Sequence, residues 1–259
     1  MGYNKPMKKG ILTILLLICL GIAGFSGYKL FEIYQIKQSV VNETKELQNI
    51  ATSSPKEETE DEESVSGSNL NWQALHEENE DIVGWLYMPS LSLSFPVVQG
   101  ENNEIYLNTT VKGEYNNMGS IFLNAYSSRD FSDDNSIIYG HSVEGGGMFT
   151  DLKKFADASF FEENPYYYFL TEEQNYRVEI MVFAQTTEQS ALYYTSFGDE
   201  KEEVISKMYK YADNSREVDV NGYKLLTLST CNLDYGFHSN QRNVLTGVMV
   251  PYNEMITVE

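Results

Sequence analysis

Between residues 83 and 250 the chain falls into eight short runs rich in apolar, β-branched and aromatic residues. They lie at 83–87, 93–98, 120–123, 136–139, 166–170, 176–184, 225–231 and 244–250, with turn-forming residues between them. Runs of this length and composition read as strands. Helical periodicity is confined to three places. Residues 72–83 carry Trp72, Leu75, Ile82 and Val83 as apolar contacts, and 149–155 form a short patch. In 199–211, Val204, Ile205, Met208 and Tyr211 share a face. Many short strands with few helices predict a mainly β domain, either a barrel or a sandwich. The Asn221-Gly222 pair ahead of the seventh run is a hairpin-type turn signal.

The segment ahead of this domain is built differently. Lys8-Lys9 is followed by nineteen uncharged residues, 10–28, and 11–20 are almost all Ile and Leu. About 20 apolar residues span a bilayer as a helix. Lysines ahead of such a helix place the N-terminus in the cytoplasm and the rest of the chain outside. The rival reading is a cleaved signal peptide, with Gly24 and Ser26 as small residues for a peptidase. The length of the stretch, and a helical rhythm that continues through 30–50, favour an uncleaved anchor. Residues 51–69, rich in Ser, Thr, Glu and Asp, cannot bury enough to fold and read as a disordered acidic spacer. The expected organisation is a cytoplasmic tail (1–9), a transmembrane anchor (10–28), a helical stalk and acidic linker (29–69) and an extracellular folded domain (70–259).

Charge narrows the partners. The chain has 38 acidic and 18 basic residues, a net charge of −20, and every acid lies after residue 30. A surface so acidic argues against nucleic acid, because phosphate binding needs a basic face. The two cysteines, Cys19 and Cys231, offer no disulfide framework, since Cys19 sits inside the apolar segment. Three scattered histidines make no zinc spacing. The acid pairs 133–134, 162–163 and 172–173 could bind calcium, but solvated turns explain them at least as well, so neither a metal nor a cofactor is expected.

Chemistry concentrates at three strand ends. The run 225–231 ends in Cys231, and a polar loop, 232–241, leads to Arg242 at the start of the last run. The run 136–139 ends in Gly140-His141, followed by a Gly-rich loop. A lone cysteine is most often a small buried hydrophobe, and a lone histidine is most often a surface or core residue. His238, seven positions past Cys231, competes with His141 for the role of base, but it lies in a loop that would hold geometry less well. Arg242 is one of only four arginines and adjoins the thiol's loop. An arginine near a thiol favours the thiolate and can stabilise an oxyanion. Cys231, His141 and Arg242 together would make a nucleophile, an acid/base and an electrostatic clamp.

Thr227-Leu228-Ser229-Thr230-Cys231 resembles the TLxTC signature of the sortases, cysteine transpeptidases on the outer face of Gram-positive bacteria. Tyr139-Gly140-His141 before it and Arg242 after it fall in the family's order. The resemblance implies an eight-stranded β-barrel with an N-terminal helix and a helix before the nucleophile strand. Class B is the most similar: the serine of the signature, Gly84-Trp85 after a helix, and the 199–211 helix all resemble that class. No Asp-Pro pair is present to build a class C lid. The eleven positions from Cys231 to Arg242 exceed what the resemblance implies for class B. The implied mechanism is attack by Cys231 on a C-terminal sorting signal and transfer of the acyl group to an amine, either a pilin lysine or a cell-wall peptide. The implied catalytic residues are Cys231, His141 and Arg242. Thr230, Ser229 and Asn232 would face substrate, and the backbone N–H of Asn232 would help hold the oxyanion. The implied partners are sorting-signal-bearing surface proteins or pilins, the amine acceptor, and the membrane through one helix. A thiol peptidase that releases the acyl group to water, and a non-catalytic surface module, are the alternatives.

Overall fold

Each of the eight apolar runs becomes a strand, and the strands pair into one closed sheet. The computed structural model describes residues 5–53, 67–143, 146–236 and 239–258. Its strands are β1 (Ile82–Met88), β2 (Leu93–Val98), β3 (Ile121–Leu123), β4 (Asn135–Tyr139), β5 (Tyr166–Leu170), β6 (Asn175–Thr187), β7 (Asn214–Ser215), β8 (Lys224–Cys231) and β9 (Gln241–Pro251). The spatial order is β5-β1-β2-β3-β4-β8-β9-β6, and β6 pairs again with β5. Eight strands therefore form a barrel, which leaves no unpaired edge among them. The two-residue β7 hangs on the far side of β6. Two pairings are parallel, β2 with β3 and β4 with β8; the others are antiparallel. The architecture is the mainly β barrel expected from the sequence.

Local chemistry explains where the elements differ from expectation. The helix expected over 72–83 is α2 (Trp72–Glu78), capped by the Asn71 side chain, which accepts from the Ala74 N–H at 3.0 Å. It stops at Asn79, whose amide turns outward to the Tyr106 hydroxyl and the Val111 carbonyl. Ile82 and Val83 are thereby released into β1. The 149–155 patch is a 3-10 helix, Thr150–Ala156, followed by an unforeseen α3 (Ala158–Glu163) that Asp157 caps. The 199–211 helix is α4 (Lys201–Tyr211), with a 3-10 turn at Gly198–Glu200 before it. The hairpin signal at Asn221-Gly222 marks a turn with Gly222 at φ 77°, but no hairpin, because β8 pairs with β4 and β9.

The sheet is covered on two sides. Val204, Ile205 and Met208 of α4 pack on Val182, Leu225, Val244 and Val248 of β6, β8 and β9. A second apolar cluster joins Trp72 and Leu75 of α2 to Trp85, Val98 and Ile256.

The N-terminal helix α1 (Lys5–Ala51) continues well past residue 28. Its stretch from Gly10 is long and apolar enough to cross a membrane, with a mean hydropathy of 2.3 over its most apolar window, none of it buried. The chain divides into two compact units between Val41 and Asn42. The boundary expected at residue 70 therefore lies inside the second unit, where Leu47 and Ala51 are fully buried with Leu70, Trp72 and Leu75. Most of the acidic spacer, and His238, lie outside the described residues.

Candidate active site

Strand register assembles the site. In antiparallel β8 and β9 the partners are Leu225↔Val248, Thr227↔Thr246, Ser229↔Val244 and Cys231↔Arg242. Directly opposed residues project from the same face with neighbouring Cβ atoms, so the thiol and the guanidinium leave the sheet side by side. Parallel β4 and β8 pair with a constant offset, from Asn135↔Leu225 to Tyr139↔Ser229. The Gly140 N–H donates to the Ser229 carbonyl at 3.1 Å, so the ladder continues past the last paired residues. His141 therefore arrives level with Cys231. All three side chains are half-buried.

They line one cleft of about 330 Å³, whose other walls include Leu107, Tyr139, Glu188, Ser229 and Thr230. Two larger cavities, of about 850 and 570 Å³, lie beside the first turn of α4 and between α2 and the β5–β6 turn. Neither holds a cysteine, so the site is assigned from its chemistry and not from its size.

Gly140 is a packing requirement. A Cβ there would stand 2.7 Å from the ring of the fully buried Phe149. Beyond it, His141 is held by Nε2, 2.8 Å from the Leu107 carbonyl oxygen. A carbonyl only accepts, so Nε2 carries the proton in this arrangement and Nδ1 is the nitrogen left for exchange. The His141 carbonyl in turn accepts from the Phe149 N–H at 3.0 Å.

Arg242 is held on three sides. Its Nε and Nη2 donate to one oxygen of Glu188, Oε1, at 3.0 and 2.6 Å. Its Nη1 donates to the carbonyls of Ser239 and Gln241 at 2.9 and 3.0 Å. Glu188 has no marker in the sequence. It follows β6, whose pairing with β9 (Thr186↔Arg242, Thr187↔Gln241) brings it beside Arg242. The run expected to end at residue 184 continues through Gln185, Thr186 and Thr187, whose polarity hid the strand's true end.

The expected substrate-facing residues separate. Ser229 and Thr230 both line the cleft. The Ser229 hydroxyl is 2.6 Å from the Tyr193 hydroxyl, and the Thr230 hydroxyl is 2.9 Å from that of Ser142. Asn232 is not among the residues that line the cleft. Its backbone N–H donates to the Gln241 carbonyl at 2.9 Å, which closes the loop after Cys231. Its side chain is buried, with Oδ1 accepting from the Asp234 N–H. The hairpin has already used the donor assigned to the oxyanion.

Tyr139 lines the cleft, and Tyr193 stands behind it against the Ser229 hydroxyl. Burial, reinforced by the charge of Glu188, pushes Tyr139 up to about 12, and Arg242 only partly offsets this. Burial raises Tyr193 as well. Both stay neutral at physiological pH and can serve as hydrogen-bond donors, not as bases. The acid pair 133–134 serves the fold: Asp133 accepts from the Ser128 N–H and hydroxyl, and Asp134 accepts from the Phe197 N–H and Lys224.

Known proteins resemble this chain in sequence and fold. A family model described as the sortase domain matches residues 86–250. Sortase B of Listeria monocytogenes is 32% identical over 179 residues, covering 68% of this chain and 72% of that protein. A sortase B structure from B. anthracis superposes with a TM-score of 0.70 at 30% identity, covering 86% of this chain and all of the other. A Streptococcus pyogenes class B sortase involved in pilus biogenesis gives a TM-score of 0.63 at 31% identity, over 70% of this chain and 98% of that one. With its barrel, its cleft and these matches, the chain belongs to the sortase family, and its likeness is to the class B members.

Proposed function

We propose that the protein is a membrane-anchored cysteine transpeptidase that cleaves a C-terminal sorting signal and joins the released acyl group to an amine. The observation that carries this reading is the shared register of Cys231, His141 and Arg242 at three strand ends around one cleft. The Cys231 thiol passes its proton to His141 Nδ1 as the sulfur attacks the carbonyl of the sorting signal's scissile bond. The negative charge that develops on that oxygen meets Arg242, since the Asn232 N–H is occupied. His141, donating through Nε2 to Leu107, exchanges protons through Nδ1. It protonates the leaving amine and later takes a proton from the incoming one. The product of the first half is a thioester at Cys231, and the second half forms a new amide and restores the thiol.

The apolar stretch of α1, with lysines ahead of it, fits a single-pass anchor with the N-terminus in the cytoplasm and the barrel outside. The acceptor is a pilin lysine or a cell-wall peptide amine. Likeness to the S. pyogenes protein involved in pilus biogenesis supports pilus assembly.

The test is to incubate the full chain in detergent with sorting-signal peptides and candidate amines, then follow Cys231 by mass spectrometry. A peptide-sized adduct on Cys231 and an amide-linked product are expected. Hydrolysis at a rate that no amine alters, with no ligated product, would count against transfer. Unchanged processing by Cys231→Ala would overturn the thiol mechanism altogether.

A further inference from the structure

The geometry points to Glu188 as the residue that positions Arg242. A guanidinium has five N–H donors in a rigid plane. In Arg242, Nε and one hydrogen of Nη2 go to Glu188, and both hydrogens of Nη1 go to the Ser239 and Gln241 carbonyls. Four of the five are thereby taken, so among the described residues one Nη2 hydrogen remains for a ligand in the cleft.

The two carbonyls belong to the loop that closes onto Asn232, and they share a single nitrogen, Nη1. They leave the guanidinium free to swing about that end. Glu188, reaching across from the end of β6, contacts the other side of the plane and stops the rotation. The plane then stands fixed beside the thiol with which Arg242 is paired across the ladder. Both Glu188 contacts use the same oxygen, Oε1. A neutral glutamine offers an equivalent carbonyl oxygen, so positioning requires the acceptor and not the negative charge. Glu188 itself is largely exposed and contributes little to the core.

Two readouts test this, and only one rests on the transpeptidase reading. In the full chain in detergent, Glu188→Ala should lower kcat/KM for acylation of Cys231 by roughly 10- to 100-fold, the scale expected when a reactive group is slightly misplaced. Glu188→Gln should restore most of that loss. In an Arg242→Ala background, Glu188→Ala should have no further effect. The second readout needs no substrate. The chain has four arginines, so ¹⁵N-arginine labelling gives four Nε–H signals, and Arg242→Ala identifies the one of interest. That signal should be protected from solvent exchange in the wild-type chain and in Glu188→Gln, and lost in Glu188→Ala. Equal protection in the wild-type chain and Glu188→Ala would overturn the proposal whatever reaction the cleft performs. So would kinetic losses that multiply with Arg242→Ala, or a Glu188→Gln variant as slow as Glu188→Ala. An absence of acylation in the wild-type chain would instead count against the transpeptidase reading and leave the exchange measurement to decide the role of Glu188.

Discussion

That Cys231, His141 and Arg242 meet at one cleft was legible because each is a chemically distinctive side chain at a strand end. What surrounds them was not legible. The Glu188 carboxylate, the Tyr193 hydroxyl and the Leu107 carbonyl reach the site through the fold, from positions 34 to 54 residues away from the groups they touch. The bond from the Asn232 N–H to the Gln241 carbonyl was hidden for the same reason, since it belongs to a hairpin closure that no local pattern displays. Because four N–H groups pin the Arg242 plane, Arg242→Lys is not a conservative change. A single-turnover acylation assay should show a loss on the order of 10²-fold, the cost of losing an oxyanion donor. Cys231 should remain open to a small neutral alkylating reagent.

At the scale of elements, the offset between β4 and β8 does most of the positioning. It sets His141 level with Cys231, and Gly140 lets the chain pass over Phe149 to get there. Gly140→Ala should therefore displace His141 and reduce acylation without unfolding the barrel. Circular dichroism and single-turnover kinetics on the same sample would check both halves. The parallel pair is also cross-linked near its start. The buried Thr227 hydroxyl donates to Asn135 Oδ1 at 2.8 Å and lies 2.9 Å from the Thr246 hydroxyl, while Asn135 Nδ2 donates to the Leu192 and Tyr194 carbonyls. Thr227→Val keeps the shape but strands its partners, and denaturant unfolding should register a loss of about 1–3 kcal/mol. The strands themselves were readable from apolar runs. Their ends were not, as β6 and β9 both extend into polar residues that are held by strand pairing.

For the whole molecule, the second compact unit begins in α1. Leu47 is buried against residues from both ends of the domain, so Leu47→Ala should destabilise it by about 2–5 kcal/mol in denaturant melts. A chain truncated to begin at residue 70 should be weakened at least as much. Asp134 ties the start of β4 to the loop before α4 and to β8. The Phe197 N–H, and then Lys224, hold its carboxyl below the usual range against the opposing effect of burial. A depressed folded value stabilises the fold above the unfolded pKa, and that stability is lost as pH falls through the folded one. Asp134→Asn should therefore lower the unfolding midpoint at neutral pH, and the difference from wild type should shrink in acid. The sequence by itself determined the strand-rich class, the apolar N-terminal helix, and the order of the three candidate residues that line one cleft, because burial patterns and side-chain chemistry are local properties. Only the tertiary structure decided where the second unit begins, which donors are already spent, and that Glu188 stands behind Arg242. Those depend on register between strands far apart in the chain, and a shift of one residue would turn each of these side chains to the opposite face.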